Sequence, residues 1–396
     1  MNNNVRLLID FGLQPISNRY TVDPNQKDEL YPLKLGQCQK SGLIQLIDPV
    51  DQKELVPRHD WISYNEPEGH LDDLVARLFP LYLAKKKPII GGVSFKDDTT
   101  LRRFEKFGCK TWSIDPIRDL KLSKGVGVES VQSALDPFNA KQIANQNGKA
   151  DLLVVRHVLE HVYKQDIFLE ALKLLVAEDG YILFEVPDSS NQLSSIDYTM
   201  VWEEHLFYYT DYTFKSSLQN FGLNVVELET IPYQFENSLV ALVKNDDIKS
   251  LNNNSEDYLL NEVLLQGKIY GEKFKSIKDF TIKFFNEESN KQDIMLFGGG
   301  HHANAFINYF SLEDSISFVI DDDPNKQTVL MPKSKLSIKS SKILSTIKNG
   351  LCVFSLMPEH EEKVIARNNS LAENKWIISS IFPSSKYSFL KENYFL

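Results

Sequence analysis

Cysteine is scarce in this chain of 396 residues: Cys38, Cys109 and Cys352 are its three cysteines, and they lie far apart. Because no CxxC pair occurs, the count excludes both a disulfide framework and a zinc site with four cysteine ligands. The sequence also lacks a run of the roughly 18 apolar residues that a membrane-spanning helix needs. Its amino terminus lacks the basic and then apolar segments of a signal peptide. We therefore expect a cytoplasmic protein without a membrane partner.

Acidic residues outnumber basic residues in this chain. The chain has 44 Lys and Arg against 54 Asp and Glu, and its formal net charge is −10. This balance disfavours nucleic-acid binding, which needs a basic surface. A hydrophobic content of 42% and a charged content of 25% are ordinary for a globular protein. The length predicts two or three domains, long enough to bury a large core.

Residues 1–66 predict a small β-rich unit. Short strand-like segments such as RLLIDFG and YPLKLGQC are separated by Pro, Gly and Asp. Units this small usually need a staple such as a metal. The turn from Cys38 to Gly42 is similar to a zinc knuckle (Cys-x-x-Cys-Gly) in which Ser41 replaces the second cysteine, and no partner pair stands upstream. We expect a unit that holds no zinc and packs tightly on its neighbour.

A linking helix is predicted next. Apolar residues recur at helical spacing at Leu71, Leu74, Val75, Leu78 and Phe79. Trp61, Tyr64 and His70 stand just before this helix or at its start. Two interpretations stay open for them: packing at an interface, or a lid over a ligand.

From residue 67 to residue 247 the pattern alternates between strand and helix. Such alternation predicts an α/β fold with a doubly wound parallel sheet, and the last two strands add an antiparallel edge hairpin. This plan is the one used by class I S-adenosylmethionine-dependent methyltransferases. Residues 248–396 begin with a polar linker and a long helical stretch, and then repeat the α/β plan as a Rossmann-like domain.

The first strand of the predicted sheet ends in the turn from Gly91 to Asp97. Glycine at Gly91 and Gly92 would let a cofactor approach the backbone closely, beside Ser94 and Asp97. This turn has less glycine than the usual methyltransferase turn. We expect Arg156, which directly follows the strand ADLLVV, to border the same cofactor.

Asp115, followed by Pro116, ends the second strand. It lies about 20 residues after the turn, a position suited to an acid that accepts both ribose hydroxyls of a nucleotide cofactor. Acids at strand ends also cap helices, so capping is the alternative interpretation.

Two histidines follow the strand ADLLVV in the segment RHVLEHV. If this segment is helical, His157 and His161 are four residues apart and share a face. Three interpretations are open: a metal pair, two structural histidines, or a His161 that faces the substrate.

The segment Glu203-Glu204-His205 is the best catalytic candidate. Histidine titrates near neutrality and can accept a proton at working pH. The adjacent Glu204 can orient the ring and raise its basicity. Neighbouring aromatic side chains can exclude water and flank a sulfonium cation. The alternative is a solvent-exposed loop with incidental charge.

Near the start of the C-terminal α/β pattern, Gly298-x-Gly300-x-x-Ala303 matches a dinucleotide fingerprint, and Asp321 follows about 20 residues later. Phosphate at the helix N-terminus is the physical interpretation. An NAD-dependent oxidoreductase is therefore one hypothesis, and a Rossmann-like fold with an empty turn is the other.

Several segments together resemble the sugar C-methyltransferases of deoxysugar biosynthesis, which act on nucleotide-linked 4-keto sugars. The segments are LIDFGLQPISNRY and YPLKLGQCQKSGLIQL, then LRRFEKFGCKTWSIDP, RHVLEHV, YILFEVPD and WEEHLFYYT, and then VIDDDPNKQ. The resemblance implies a small zinc-binding domain, a methyltransferase domain that uses S-adenosylmethionine, and a C-terminal Rossmann-like domain.

The resemblance also implies roles for individual residues. His205 would be the general base, Glu204 its neighbour in the site, and His161 a polar contact to the substrate. Tyr64 would correspond to a tyrosine that closes over the methyl donor. The chemistry would need no metal.

This sequence departs from the family's pattern at several places. The zinc-domain cysteines are gone apart from Cys38, the turn GGVSFKDD is not the usual glycine-acid-glycine version, and His301-His302 replaces a basic residue. Three alternatives therefore stay open: an O- or N-methyltransferase on another small acceptor, an NAD-dependent oxidoreductase, and a binding protein with a disabled site.

Overall fold

Three β-sheets organise the part of the chain that the computed structural model describes, which comprises residues 4–59, 61, 66–83, 87–123, 127–247, 257–347, 349–373 and 376–390. One sheet lies in each of the three predicted regions. Tyr64 lies outside the described residues, so its predicted role stays a prediction.

The N-terminal sheet has four antiparallel strands in the order β1-β2-β3-β8. Its strands are β1 (Val5–Pro15), β2 (Leu30–Cys38), β3 (Ile44–Ile47) and β8 (Phe207–Tyr208). This confirms the predicted β-rich unit. The fourth strand, however, comes from the middle of the chain, where Tyr208 pairs with Ile44. The segment that holds the catalytic candidates therefore runs directly into the N-terminal sheet.

The middle region forms the predicted doubly wound sheet, in the order β5-β4-β6-β7-β10-β9. Strands β4 to β7 are parallel, and β10 pairs antiparallel with β7 and β9 as the expected edge hairpin. In chain order the elements are α1 (Leu71–Tyr82), β4 (Ile89–Gly92), α2 (Asp98–Glu105), β5 (Lys110–Ser113), α3 (Val128–Ala134), α4 (Pro137–Asn147), β6 (Ala150–Arg156), α5 (Gln165–Leu175), β7 (Val176–Asp188), α6 (Ser190–Ser195), α7 (Asp211–Asn220), β9 (Leu223–Ile231) and β10 (Asn237–Asp247).

Burial explains this arrangement. Six of the seven side chains in β6 are buried, as expected for a parallel strand with helices on both faces. Helix α1 buries Leu71, Leu74, Val75 and Leu78 against the same sheet, which confirms the predicted linking helix.

One predicted helix end is wrong. The pattern predicts that α5 continues to Gly180, but α5 ends at Leu175 and strand β7 begins at Val176. The side chain of Asn245, from β10, donates to the carbonyl oxygens of Lys173 and Ala177 at distances of 3.3 and 3.2 Å. These contacts satisfy carbonyl groups at the end of the helix, so a distant residue fixes the boundary.

The C-terminal region begins with the long helix α8 and continues as a five-stranded parallel sheet in the order β13-β12-β11-β14-β15. Its elements are α8 (Asp257–Ser289), β11 (Ile294–Phe297), α9 (His301–Phe310), β12 (Phe318–Ile320), β13 (Ile338–Lys339), β14 (Leu351–Phe354), α10 (Pro358–Arg367), α11 (Asn369–Glu373) and β15 (Ile377–Ser380). One hydrophobic cluster joins this sheet, α8 and the N-terminal sheet. Among the described helices, none is long and apolar enough to cross a bilayer.

The N-terminal sheet is expected to fold without zinc. Cys38 is a free thiol, and the other two cysteines are buried in other regions. We expect metal analysis of the purified protein to find well under one equivalent of zinc, and dialysis against a chelator to leave the thermal midpoint unchanged. One bound equivalent of zinc would contradict this prediction.

Candidate active site

The site lies just beyond the carboxyl ends of the neighbouring parallel strands β4 and β6. Doubly wound sheets bind their ligands at this edge. Asp97 links these strands. Its Oδ2 accepts the N–H groups of Val93 and Ser94 at 2.7 and 2.9 Å, and its Oδ1 accepts the N–H of Arg156 at 2.9 Å. Burial raises the pKa of Asp97 to about 7, although the three N–H donors act in the opposite direction. Asp97 therefore shapes the turn from inside the protein.

The two glycines of this turn have a packing role that the sequence did not reveal. A Cβ at Gly91 would lie 2.5 Å from the ring of Trp112, and one at Gly92 would lie 2.9 Å from Leu101. The Trp112 ring of β5 therefore requires glycine at Gly91, and Leu101 of α2 leaves little room for a side chain at Gly92. The predicted contact of Gly91, Gly92 and Ser94 with a cofactor stays a prediction.

Arg156 is enclosed by acceptors of the protein itself. Its side chain is 1% exposed, and Nε donates to Glu185 Oε2 at 2.5 Å. The two terminal nitrogens donate to the carbonyl oxygens of Lys96 and Pro67 at 2.9 and 3.2 Å. The guanidinium group thus holds the segment before α1, residues 66–70, against the turn that follows β4.

His70 also anchors the segment before α1. Its Nε2 lies 3.4 Å from Glu185 Oε1, and its Nδ1 lies 2.6 Å from the hydroxyl of Tyr233. Glu66, from the same segment, is paired with Lys96. Burial would raise the pKa of Glu66, but His157 and Lys96 lower it to about 2. These contacts show that the segment covers the carboxyl edge of the sheet.

Asp115 is exposed just beyond β5. Its Oδ1 accepts the N–H groups of Ile117 and Arg118 at 2.9 and 2.8 Å and so caps the turn at 116–120, although the described residues 116–123 form no helix. Its Oδ2 receives no hydrogen bond from the described residues and can still accept from hydroxyl groups of a ligand. The structure is therefore compatible with both interpretations of this residue.

The segment RHVLEHV does not form an α-helix. His157 has a positive φ of 50°, and a short 3-10 helix covers Leu159–His161. The two histidines therefore do not share a helical face. His157 Nε2 lies 3.3 Å from Glu185 Oε1, whereas His161 Nδ1 lies 3.3 Å from Glu129 Oε1.

Glu160 lies between these two histidines. Its Oε1 is 3.6 Å from His157 Nδ1 and 3.9 Å from His161 Nε2, and both of its oxygens are buried without a hydrogen bond. Burial alone would lower the pKa of both histidines. Glu66, Glu160 and Glu185 nevertheless raise that of His157 to about 10, and Glu129 and Glu160 raise that of His161. His157 is therefore a cation at neutral pH.

Glu203 and Glu204 are only 8% and 6% exposed, so the interpretation of this segment as a solvent-exposed loop is wrong. Glu203 Oε1 accepts the N–H of Ser17 at 2.5 Å, and its Oε2 accepts the Ser17 hydroxyl at 3.1 Å. Leu206 donates its N–H to the carbonyl oxygen of Glu160 at 2.8 Å. Contacts on both sides, to Ser17 and to the backbone of Glu160, thus fix the segment from Glu203 to Leu206.

The ring of His205 lies among other rings. Its centroid is 4.8 Å from that of His161 and 5.0 Å from that of Trp202, and Trp202 stacks on His301 at 4.4 Å. Burial, with the nearby His161 and His301, holds the pKa of His205 well below its usual value. A neutral imidazole at pH 7 is the form that accepts a proton.

The pKa of the neighbouring Glu204 shifts in the opposite direction. Burial raises the pKa of Glu204 well above its usual value, and the charges of Glu129 and Glu203 add to the effect. The protonated form of Glu204 is thus favoured. It can donate a hydrogen bond where an ionised carboxylate could only accept one.

Within the described part of the chain, Glu160, His161 and His205 are one group whose side chains could ligate a metal, with ligand atoms within 4.8 Å of one another. Zinc holds nitrogen and oxygen ligands at about 2.0–2.2 Å, so two of its ligands are at most about 4.4 Å apart. The group would have to contract around an ion, and we expect no metal here.

Three family models match consecutive parts of the chain. They are the "Putative zinc binding domain" over residues 1–55, the "Methyltransferase domain" over residues 68–228, and the "C-methyltransferase C-terminal domain" over residues 244–381. C-methyltransferase NovU of Streptomyces niveus is 23% identical over 230 residues, which cover 56% of this chain and 54% of that relative. These matches identify residues 68–228 as a methyltransferase domain.

Solved methyltransferase structures show partial similarity. The 1,6-didemethyltoxoflavin-N1-methyltransferase of Burkholderia thailandensis, with 11% identity and a TM-score of 0.32, covers 46% of this chain and 80% of its own. A SAM-dependent methyltransferase of Aquifex aeolicus, with 15% identity and a TM-score of 0.30, covers 50% of this chain and 99% of its own. The match to NovU spans about half of that relative's length.

The residues of this methyltransferase fit S-adenosylmethionine. The cofactor carries two cationic groups, an ammonium and a sulfonium, and two ribose hydroxyls. Oδ2 of Asp115, an exposed residue, suits the ribose hydroxyls.

Sequence reasoning missed several charged residues of the methyltransferase site. They are Glu66, Lys96, Glu129, Glu160 and Glu185. Glu160 stands between the two histidines in the sequence and could have been found by its position. Glu129 gives no such signal, because it belongs to helix α3 and reaches His161 only in the fold.

We expect the Asp115→Asn variant to bind S-adenosylmethionine about 10- to 100-fold more weakly, because a charged acceptor of two hydroxyl hydrogen bonds is lost. Asparagine keeps Oδ1 for the turn. Calorimetry measures the affinity, and Asp166→Asn, an exposed change at helix α5, is the matched control. Wild-type affinity in Asp115→Asn, together with a lower thermal midpoint in Asp115→Ala, would leave capping as the role of Asp115.

Proposed function

We propose that this methyltransferase transfers a methyl group from S-adenosylmethionine to a carbon next to the keto group of a nucleotide-linked deoxysugar, with His205 as the general base. The observation that carries the proposal is the position of His205, beside the buried Glu204 and with its ring centroid 4.8 Å from that of His161, at the carboxyl edge of the sheet. The choice of a sugar acceptor rests on the resemblance of the sequence motifs. Carbon as the methylated atom is supported by the C-methyltransferase relative and the C-terminal family model.

His205 would remove a proton from the carbon beside the ketone. The C–H bond breaks, the proton goes to the imidazole, and the electron pair is left on the acceptor as an enolate. Such a proton is acidic enough for a histidine base because the carbonyl delocalises the charge. A positioned base of this kind contributes about 100- to 10,000-fold to the rate.

Two further side chains support this step. Glu204, in the protonated form that burial favours, can donate a hydrogen bond to the carbonyl oxygen on which negative charge develops. His161, held by Glu129 and in ring contact with His205, is a second polar group that faces the acceptor. S-adenosylmethionine, when bound, supplies the electrophilic methyl group.

The geometry of the C-terminal glycine turn disfavours the NAD-dependent alternative. Gly299 donates its N–H to Asp321 Oδ2 at 2.9 Å, and Lys326 pairs with the same oxygen at 2.9 Å. The hydroxyl of Tyr20 donates to the carbonyl oxygen of Gly299 at 2.6 Å. Groups that would meet the phosphate and ribose of a dinucleotide are thus engaged within the chain.

A methyl-donor assay over a panel of nucleotide-linked keto sugars tests the proposal, with the product mass as the readout and NMR to locate the methyl group. The corresponding 4-hydroxy sugars are the control, since they cannot form the enolate. A methyl group on oxygen or nitrogen would overturn carbon methylation. Separate calorimetric titrations test the cofactor: binding of NAD without binding of S-adenosylmethionine would contradict the proposal.

A further inference from the structure

We propose that Asn18 is a positioning residue that orients the Glu204 carboxyl group in the active site, an inference that rests on the proposed function. Asn18 lies just after strand β1, in the N-terminal region. Its Nδ2 donates to Glu204 Oε1 at 3.1 Å. Both residues are buried, with 2% and 6% of their surface exposed, so water does not compete for this contact.

Two consecutive residues of the N-terminal region donate to two consecutive glutamates. Ser17 donates to Glu203, and the next residue, Asn18, donates to Glu204. Strand β8 begins at Phe207 and pairs with β3 of the N-terminal sheet. The N-terminal sheet and the catalytic segment are therefore joined in a fixed register.

Arg19 fixes which end of the Asn18 amide faces Glu204. Arg19 Nη1 donates to Asn18 Oδ1 at 2.8 Å, and its Nη2 donates to the carbonyl oxygen of Glu54. A guanidinium group has donors and no acceptor, so the amide oxygen must face Arg19. The amide nitrogen then faces Glu204, and the reversed amide would place two donors against each other.

When Glu204 is protonated, this orientation decides which of its two oxygens carries the proton. Oε1 accepts from Asn18 and is therefore the carbonyl oxygen of the acid, which leaves the proton on Oε2. The O–H group is thereby available to donate elsewhere in the site. A preorganised neutral acid is effective where an enolate oxygen gains charge.

The N-terminal region thereby orients Glu204 without needing zinc. A relay of hydrogen bonds runs from the backbone of Glu54 through Arg19 and Asn18 to Glu204. It uses none of the cysteines. The region acts on the reaction through Glu204.

The Asn18→Asp variant tests the inference, because aspartate has nearly the same shape but only accepts. The introduced carboxylate would pair with Arg19 and draw the proton of Glu204 onto Oε1, away from the site. We expect kcat to fall about 100-fold while the KM for S-adenosylmethionine is unchanged. The matched control is Asn25→Asp, an exposed change in the same region that should leave kcat at the wild-type value.

Difference infrared spectroscopy gives a readout that needs no acceptor. The band of the protonated carboxyl is assigned by its loss in Glu204→Gln, and it should shift to lower frequency in Asn18→Asp. Asn18→Ala, which removes the amide, should broaden it and lower kcat about tenfold. Wild-type spectra and wild-type kcat in both Asn18 variants would overturn the inference. If the wild-type protein methylates no keto sugar, the proposed function fails, and the infrared band still decides the role of Asn18.

Discussion

Replacing His205 by glutamine is expected to lower kcat by about 100- to 10,000-fold, the range that a general base contributes. Glutamine keeps the polar character of the side chain but cannot take the proton. Because we propose that His205 faces the acceptor, we expect the affinity for S-adenosylmethionine to stay near the wild-type value. Rapid-quench methyl transfer and calorimetry measure the two quantities separately. His360→Gln, an exposed change in helix α10, is the control.

The pH dependence gives a second check on His205. Burial and the neighbouring His161 lower the pKa of its ring, so the base loses its function only when the pH falls below that lowered value. We expect kcat/KM to stay high at pH 6.5, where an ordinary histidine is half protonated. An acid limb centred above pH 6.5, or wild-type kcat in His205→Gln, would show that another group is the base.

The sequence predicted the fold from short-range patterns. Alternating apolar strands and amphipathic helices specify a doubly wound sheet, because each element must bury one face. Since the carboxyl ends of parallel strands meet at one edge, the position of each segment after a strand was enough to bring His161 and His205 together. Their rings lie 4.8 Å apart in the fold.

The sequence could not predict contacts that depend on distant partners. The pattern suggested a helical face for His157 and His161, but His157 has a positive φ that an α-helix does not allow. His157 instead contacts Glu185, and His161 contacts Glu129. Asn18 reaches Glu204 only because strand β8 joins the N-terminal sheet. Two residues of strand, Phe207 and Tyr208, are too short to carry a periodic signal.

Arg156 gives the largest expected effect on stability. Its side chain and that of Glu185 are each 1% exposed, and Nε lies 2.5 Å from Oε2. Removing one partner of a buried ion pair leaves the other charge uncompensated, which typically costs about 3–5 kcal/mol. His70 and His157 still contact Glu185, so we expect the Arg156→Met variant to lose about 3 kcal/mol of unfolding free energy in urea denaturation.

Arg58→Met is the matched control, because Arg58 forms an exposed pair with Glu29 at 2.9 Å, with side chains 51% and 60% exposed. Exposed pairs contribute about 0–1 kcal/mol, so this variant should unfold close to the wild-type protein. The comparison also separates two roles for Arg156. A variant as stable as wild type that has lost affinity for S-adenosylmethionine would identify Arg156 as a direct cofactor ligand. A destabilised variant whose folded fraction still binds the cofactor would show that the guanidinium group stabilises the turn that the cofactor contacts.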